Sequence, residues 1–287
     1  KQADYVERQS GLCELALHNF PLLGLGHIRI HNRDGVSYLQ EMLPVDCLFL
    51  DPARRDGHGG KTVAISDCEP DVTVLEPLLV DKAKKVMVKL SPMLDLSLAL
   101  NELKTVRAVH IVAVNNECKE LLLILQKESV SSEVSIHCEN IAGNGESRHY
   151  TFTLKQEKTS PCLLADEVGT YLYEPNAAIL KAGAFRSLTQ TYPVAKLHLN
   201  SHLYTSVSLV PDFPGRRFRV EAVSGFGKKE LKAFLMDMDK ANITIRNFPL
   251  SVAELRKRLK LKEGGDDYIF ATTLSGGQKV LIRGKKC

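Results

Sequence analysis

The chain has 287 residues, 44% of them apolar and 25% charged, a balance that supports two or three domains with their own cores and excludes a disordered chain. No apolar run reaches the length of a bilayer span, and the opening KQADYVERQS has no signal-peptide core, so a cytoplasmic protein with no membrane partner is expected. The formal net charge of +4 is unevenly placed: residues 215–287 carry 17 Lys and Arg against 8 Asp and Glu, a net of +9, which leaves −5 on residues 1–214. A basic block on an otherwise acidic chain points to a polyanionic partner, with a merely solvated basic face as the plainer reading. The seven cysteines (13, 47, 68, 118, 138, 162 and 287) are odd in number, scattered and without a Cys-x-x-Cys pair. They encode neither a disulfide framework nor a zinc site, and the nine histidines show no metal-ligand spacing, so no metal is expected.

The first 125 residues alternate regularly. DYVE (4–7) reads as a strand end, and SGLCELALHNF (10–20) places Leu12, Leu15, Ala16 and Phe20 on one helical face before Pro21 stops it. HIRIH (27–31) is a strand, VSYLQEML (36–43) a short helix, and VDCLFLD (45–51) a nearly continuous apolar strand of the kind covered on both faces. DVTVLEPLLVDKA (71–83) is mainly helical, KVMVKLS (85–91) a strand, LDLSLALNEL (94–103) a helix, AVHIVAVN (108–115) a strand and ECKELLLILQK (117–127) a helix. This succession predicts an α/β, Rossmann-like doubly wound sheet with right-handed crossovers. VSIHCENI (134–141) and RHYTFTL (148–154), joined by AGNGES, read as an antiparallel edge to that sheet.

The polar KQEKTSP (155–161) reads as a domain boundary. Residues 161–214 are expected to form a small α/β module in which 174–192 has helical spacing through Ile179, Leu180, Ala184 and Leu188, with Pro175 suited to a first turn. Beyond it, 218–226 is a strand, 228–241 a helix with Leu231, Phe234, Leu235 and Met238 inward, and 242–248 a second strand. Ser251 and Glu254 have capping-box spacing at the start of a helix over 251–261. Strands at 266–274 and 279–286 flank the turn SGGQ, which makes 215–287 a β-α-β-α-β-β unit.

Polar groups collect where these strands end. Glu7 closes the first, Asp34 follows the second, Asp51 closes the third with Pro52 behind it, and KLSP (89–92) closes the fourth. The carboxyl ends of parallel strands are where open α/β sheets bind ligands, and a strand-end acid matches the vicinal diol of a ribose. Taken singly, each acid is also a plausible cap or turn residue.

YVERQSGLCELALHNFPLLGL, then NRDG, then DCLFLDPARR, with VMVKLSPMLDL further on, resembles the second to fourth motifs and the next strand of class I S-adenosylmethionine-dependent methyltransferases, RNA-modifying ones in particular. The last 70 or so residues resemble the THUMP-like domain attached to a bacterial group of them. The resemblance implies a methyltransferase domain over 1–160, a small ferredoxin-like module over 161–214 and a basic THUMP-like domain over 215–287. It implies S-adenosylmethionine as cofactor, with Glu7 on its ribose, Asp34 towards its adenine and Asp51 beside it. Asp51 and Pro52 would face the methyl acceptor, a base nitrogen of a structured tRNA or rRNA. That RNA is expected against Arg54, Arg55, Lys89 and Ser91, and against Lys228, Lys229, Arg256, Lys257 and Arg258. Ala53 and Arg54 stand where amino-methylating relatives carry an aromatic, so base stacking by this motif is not implied. Ser91 and Pro92 stand where uracil-5 methyltransferases carry a cysteine, which argues against a covalent cysteine mechanism. The family's glycine-rich first motif falls about 20 residues ahead of the first strand-end acid. Neither DGHGG (56–60), expected as a mobile loop, nor SGGQK replaces it, so the sequence reads as part of a longer chain. Two other readings stand beside this one: a non-catalytic RNA-binding protein on a degenerate scaffold and, ranked below it, an NAD-dependent dehydrogenase, for which no acid-base pair is visible.

Overall fold

The computed structural model describes residues 2–54, 64–127 and 133–287. The chain forms two compact units, Lys1–Val109 with Leu121–Ser132, and His110–Glu120 with Glu133–Cys287.

The first unit begins with β1 (Ala3–Glu7), α1 (Ser10–Leu22), β2 (Ile28–Asn32) and α2 (Gly35–Glu41). Next come β3 (Val45–Leu50), the short β4 (Ala53–Arg54) and β5 (Cys68–Glu69), α3 (Val72–Lys82), β6 (Ala83–Leu90) and α4 (Leu96–Glu102). The hairpin of β7 (Val106–Val114) and β8 (Glu117–Leu125) belongs to both units. β1 lies parallel to β2, β3 parallel to β6, and β6 antiparallel to β8. Aspartates start three of the helices: the side chains of Asp34, Asp71 and Asp95 accept hydrogen bonds from Ser37 N, Thr73 N and Leu98 N, each satisfying an otherwise unpaired helix donor. The unit's core is built from Val86, Val88 and Leu90 of β6, Leu121, Leu123 and Leu125 of β8, and Val72 and Leu79 of α3, all fully buried or nearly so.

Two expectations change here. Residues 117–125 form a strand, not a helix. Asn115 and Asn116 both adopt left-handed backbone (φ 51° and 65°), the conformation of the tight turns that join antiparallel strands, so the chain reverses at once and the apolar run LLLIL extends as β8. A short apolar run of that kind carries no periodicity to separate strand from helix. β3 is an edge strand of its sheet and not one covered on both faces, with Phe49 57% exposed.

In the second unit β9 (Ser135–Ile141) pairs antiparallel with β10 (Ser147–Thr153), as expected. The polar stretch after it is a helix, α5 (Leu154–Thr159), because Thr153 and Gln156 form a capping box. The chain continues through β11 (Tyr171–Pro175), α6 (Ala177–Ala182), α7 (Leu188–Thr191), β12 (Ala195–Lys196) and β13 (Tyr204–Ser206). One helix was expected over 174–192. Instead Pro175 ends β11, Asn176 caps α6, and Gly183, left-handed at φ 73°, stops it. Then follow β14 (Gly215–Ser224), α8 (Lys228–Phe234), β15 (Asn242–Arg246), α9 (Val252–Leu259), β16 (Asp267–Thr273) and β17 (Lys279–Lys286). The β-α-β-α-β-β order is the expected one. α8 is shorter than expected, since the chain turns to left-handed backbone at Asp237.

A seven-stranded sheet runs β12-β13-β11-β14-β17-β16-β15. Leu172, Leu197 and Leu203 share one buried cluster with Phe218, Phe270 and Ile282, while Phe234, Leu255, Leu259, Ile269 and Leu281 form another. A Cβ at Gly215 would overlap the Glu174 carbonyl oxygen, so only glycine lets β14 approach β11 there. No helix among the described residues is long and apolar enough to cross a membrane.

Two charged groups carry testable parts of the first unit. Glu76, 6% exposed in α3, accepts from Lys104 N (2.8 Å), Thr105 N (2.7 Å) and Thr105 Oγ1 (2.7 Å) and so fixes the turn into β7. Glu76→Ala strands those donors and should cost about 2 kcal/mol, read as a lower urea midpoint. Asp4 binds Arg29 through both carboxylate oxygens (2.6 and 2.7 Å), and the Arg29 guanidinium, seconded by His31, holds the Asp4 carboxyl at about 2. Stability from a depressed carboxyl is complete above its unfolded value and is lost as pH falls. The stability gap between the parent and Asp4→Asn should therefore close as pH falls between about pH 4 and pH 2.

Candidate active site

The first unit assembles its polar strand ends through backbone register. Because β3 and β6 are parallel with Leu50 opposite Val88, the next residue of each strand, Asp51 and Lys89, also meet, and Lys89 Nζ lies 2.7 Å from Asp51 Oδ2. Asp51 remains 53% exposed, so the carboxylate is anchored on one side and open on the other. Pro52 behind it is buried. From there the chain enters β4, which pairs antiparallel with β5 in the register Ala53↔Glu69. Glu69 Oε1 accepts from Arg8 Nη1 at 2.9 Å. This ion pair ties the segment after Asp51 to the end of β1, where Glu7 stands.

Glu7 accepts from Gln9 N at 2.7 Å through Oε1, and its backbone oxygen accepts from Asn32 Nδ2 (3.0 Å) and Arg33 N (3.1 Å), which locks the ends of β1 and β2 together. Its second carboxylate oxygen makes no hydrogen bond among the described residues. Asp34 stands at the start of α2. As the cap of α2 it accepts from Ser37 N (2.8 Å) and Ser37 Oγ (2.9 Å), and these bonds lower its carboxyl below the ordinary range. Ser91, just past β6, accepts from Met93 N at 3.2 Å. The four strand ends belong to two sheets, β1 with β2 and β3 with β6. Arg54 contributes its backbone to β4, while Arg55 and the expected loop at 56–60 lie outside the described residues.

The Asp51–Lys89 pair is not visible in the sequence, because it follows from the register that sets Leu50 opposite Val88. Nor is the role of Arg8, because its partner depends on the two-residue ribbon of β4 and β5. A carboxylate at each of three strand ends suits the hydroxyl and amine donors of a nucleoside cofactor, so the residues present fit such a group.

The basic candidates of the second unit divide into two kinds. Lys228 and Lys229 in the first turn of α8, and Lys257 on α9, are exposed. Arg256 donates from Nη1 to Ala241 O at 3.1 Å, and the Arg258 guanidinium lies 5.2 Å from the centre of the Phe226 ring. These two arginines hold α9 in place as well as adding charge. Arg256 also lines a shallow open groove with Arg216, Asn242, Thr244 and Tyr268. Among the described residues no group of His, Cys, Asp and Glu is placed to hold a metal.

Comparison with known proteins finds two domain models, both within the second unit. A ferredoxin-like domain model matches residues 171–214, and a THUMP domain-like model matches residues 215–286. No curated protein matches significantly. Among solved structures, a crystal structure described as a "putative methyltransferase from Porphyromonas gingivalis W83" is 36% identical, with a TM-score of 0.88, over 100% of this chain and 72% of that one. With identity and coverage at that level, the chain belongs to the family of that methyltransferase, and its C-terminal end carries the ferredoxin-like and THUMP-like domains.

Proposed function

We propose that the protein is an S-adenosylmethionine-dependent methyltransferase that modifies a base nitrogen in a structured RNA. In this reading residues 1–160 form the catalytic domain, 161–214 the ferredoxin-like module and 215–287 the RNA-recruiting module. The observation that carries it is the half-exposed Asp51 carboxylate, fixed by Lys89 at the end of a parallel strand and linked through β4, β5 and Arg8 to Glu7. Glu7 would hold the ribose of the cofactor, Asp34 would approach the adenine, and the bound cofactor would supply an electrophilic methyl group.

The chain's own residues then have defined tasks. An exocyclic amine donates its N–H groups to the Asp51 carboxylate and to a backbone carbonyl at Pro52, which aims the nitrogen lone pair away from both acceptors. Lys89 keeps the carboxylate from rotating. Positioning and a fixed negative charge facing a nitrogen that becomes positive are the two contributions this geometry makes to rate. Ser91 and the arginines at 54 and 55 would flank the RNA. The exposed lysines of α8 and α9 would grip phosphates with little sequence preference, because counterion release favours any RNA backbone.

Transfer of labelled methyl from S-adenosylmethionine to total RNA tests the reading. Asp51→Asn should keep its unfolding free energy to within about 1 kcal/mol, as expected for a half-exposed ion pair, while turnover falls on the order of 100-fold. Undiminished turnover in Asp51→Asn removes that residue from the mechanism. RNA binding without any methyl transfer would favour the non-catalytic reading. Replacing Lys228, Lys229 and Lys257 together with alanine should weaken RNA binding and flatten its dependence on salt, by about one unit of slope per lost phosphate contact.

A further inference from the structure

We propose that Lys196 and His202, with Arg246 behind them, form a binding site for a phosphate group where segment 171–214 meets segment 215–286. The inference rests on these residues alone and is independent of the methyl-transfer reading.

Lys196, the last residue of β12, is 2% exposed. Its ammonium donates to Leu199 O and lies 5.0 Å from the centre of the Phe185 ring, and no described carboxylate forms an ion pair with it. Burial pushes its pKa down. His202 stacks on the same Phe185 ring, centroids 3.6 Å apart and planes 23° from parallel. Its backbone is left-handed at φ 53°, and its Nδ1 is buried without a hydrogen bond. A non-glycine residue held in that conformation is strained, and such strain collects at functional positions. Burial, and after it the charges of Lys196 and Arg246, push His202 down to about 4. Arg246 approaches Glu174 Oε1 with Nη2 at 2.8 Å and leaves its own Nε buried without a partner.

The acids nearby are already engaged. Glu174, 2% exposed, serves Arg216 as well as Arg246. Glu157 spends its carboxylate on Phe185 N (2.9 Å), Arg186 N (2.8 Å), Ser187 N (3.0 Å) and Ser187 Oγ (2.8 Å), which fixes the ring shared by Lys196 and His202. Of the groups acting on Lys196, Cys162 and Glu157 favour its charge and Arg186 opposes it. The site therefore offers unspent ammonium N–H donors, a buried imidazole nitrogen and a buried guanidinium N–H. Leaving such groups unmatched is costly. An anion with several oxygens in a tetrahedral array matches them best, and charge-assisted bonds to it are the strong kind. The covering loop is accessible: Leu199 is 50% exposed and Asn200 is exposed. A bond from Asn200 N to His198 Nδ1 (3.0 Å) and the contact of Asn247 Nδ2 with the same nitrogen (2.9 Å) hold that loop against the end of β15.

The phosphate could be a free anion or the terminal group of a nucleic acid, and titration of the whole protein followed by imidazole NMR separates the two. The His202 resonance is assigned by its loss in His202→Asn, since asparagine tolerates left-handed backbone. At matched ionic strength, inorganic phosphate or a 5′-phosphorylated oligoribonucleotide should shift that resonance saturably and raise the apparent pKa of His202 by at least about one unit, because a bound anion favours the imidazolium. A response to the oligonucleotide alone assigns the phosphate to a nucleic acid, and a response to inorganic phosphate assigns a free anion. Both support the site. Lys196→Met should weaken binding at least about ten-fold. A His202 resonance that neither titrant moves in the unmodified protein overturns the proposal, whether or not the lysine variant folds, and so does an unchanged response in a folded Lys196→Met protein.

Discussion

The parallel register of β3 and β6 is the constraint on which the candidate active site depends. Parallel pairing with Leu50 opposite Val88 leaves the following residues, Asp51 and Lys89, no arrangement except side by side. An acid and a base placed this way need little further organisation, since the strands have already been ordered by burial of Val86, Val88 and Leu90. The backbone then supplies the rest. Pro52 directs the chain into β4, β5 returns it, and Glu69 reaches Arg8 beside Glu7. A half-exposed ion pair adds little to stability, so the Asp51–Lys89 contact is better understood as orientation than as a source of folding energy.

Much of this was legible because local chemistry and fold agree. The apolar run at 45–50 ends at an Asp-Pro, and the structure ends a strand there. Ser251 and Glu254 announced the start of α9, and both halves of the capping box are formed, with Glu254 Oε2 accepting from Ser251 N at 2.7 Å. The turn SGGQ joins β16 to β17, with Gly277 at positive φ. The regions that resisted reading are those where a short local signal overrides the look of the surrounding stretch. Leu121–Leu125 is a strand because the two asparagines before it reverse the chain, and α5 exists because Thr153 and Gln156 cap each other in a stretch that looks like a linker. In the site, the acids were visible as residue types at strand ends, whereas Lys89 and Arg8 acquire their roles only through sheet register.

The basic surface of the second unit shows the same limit in another form. Counting charge located it correctly on the last 73 residues, but a count treats all cations alike. Arg256 and Arg258 are partly spent on Ala241 O and the Phe226 ring, while Lys228, Lys229 and Lys257 project into solvent. A guanidinium that packs and hydrogen-bonds within the fold cannot be exchanged for an ammonium without losing those contacts. The lysines are therefore the interchangeable part of this surface and the arginines the structural part. Buried cations are a third class. Lys196 is 2% exposed and Arg246, half-buried, keeps its Nε buried without a partner, features that a charge count does not reveal.

We propose that the ends of β1, β2 and β3 form a nucleoside-cofactor site facing Asp51. A crystal structure of the protein with S-adenosylmethionine tests it most directly. The ribose hydroxyls are expected against Glu7, the adenine beside Asp34 and the methyl group directed at the open side of Asp51. A cofactor bound away from these three strand ends would contradict it.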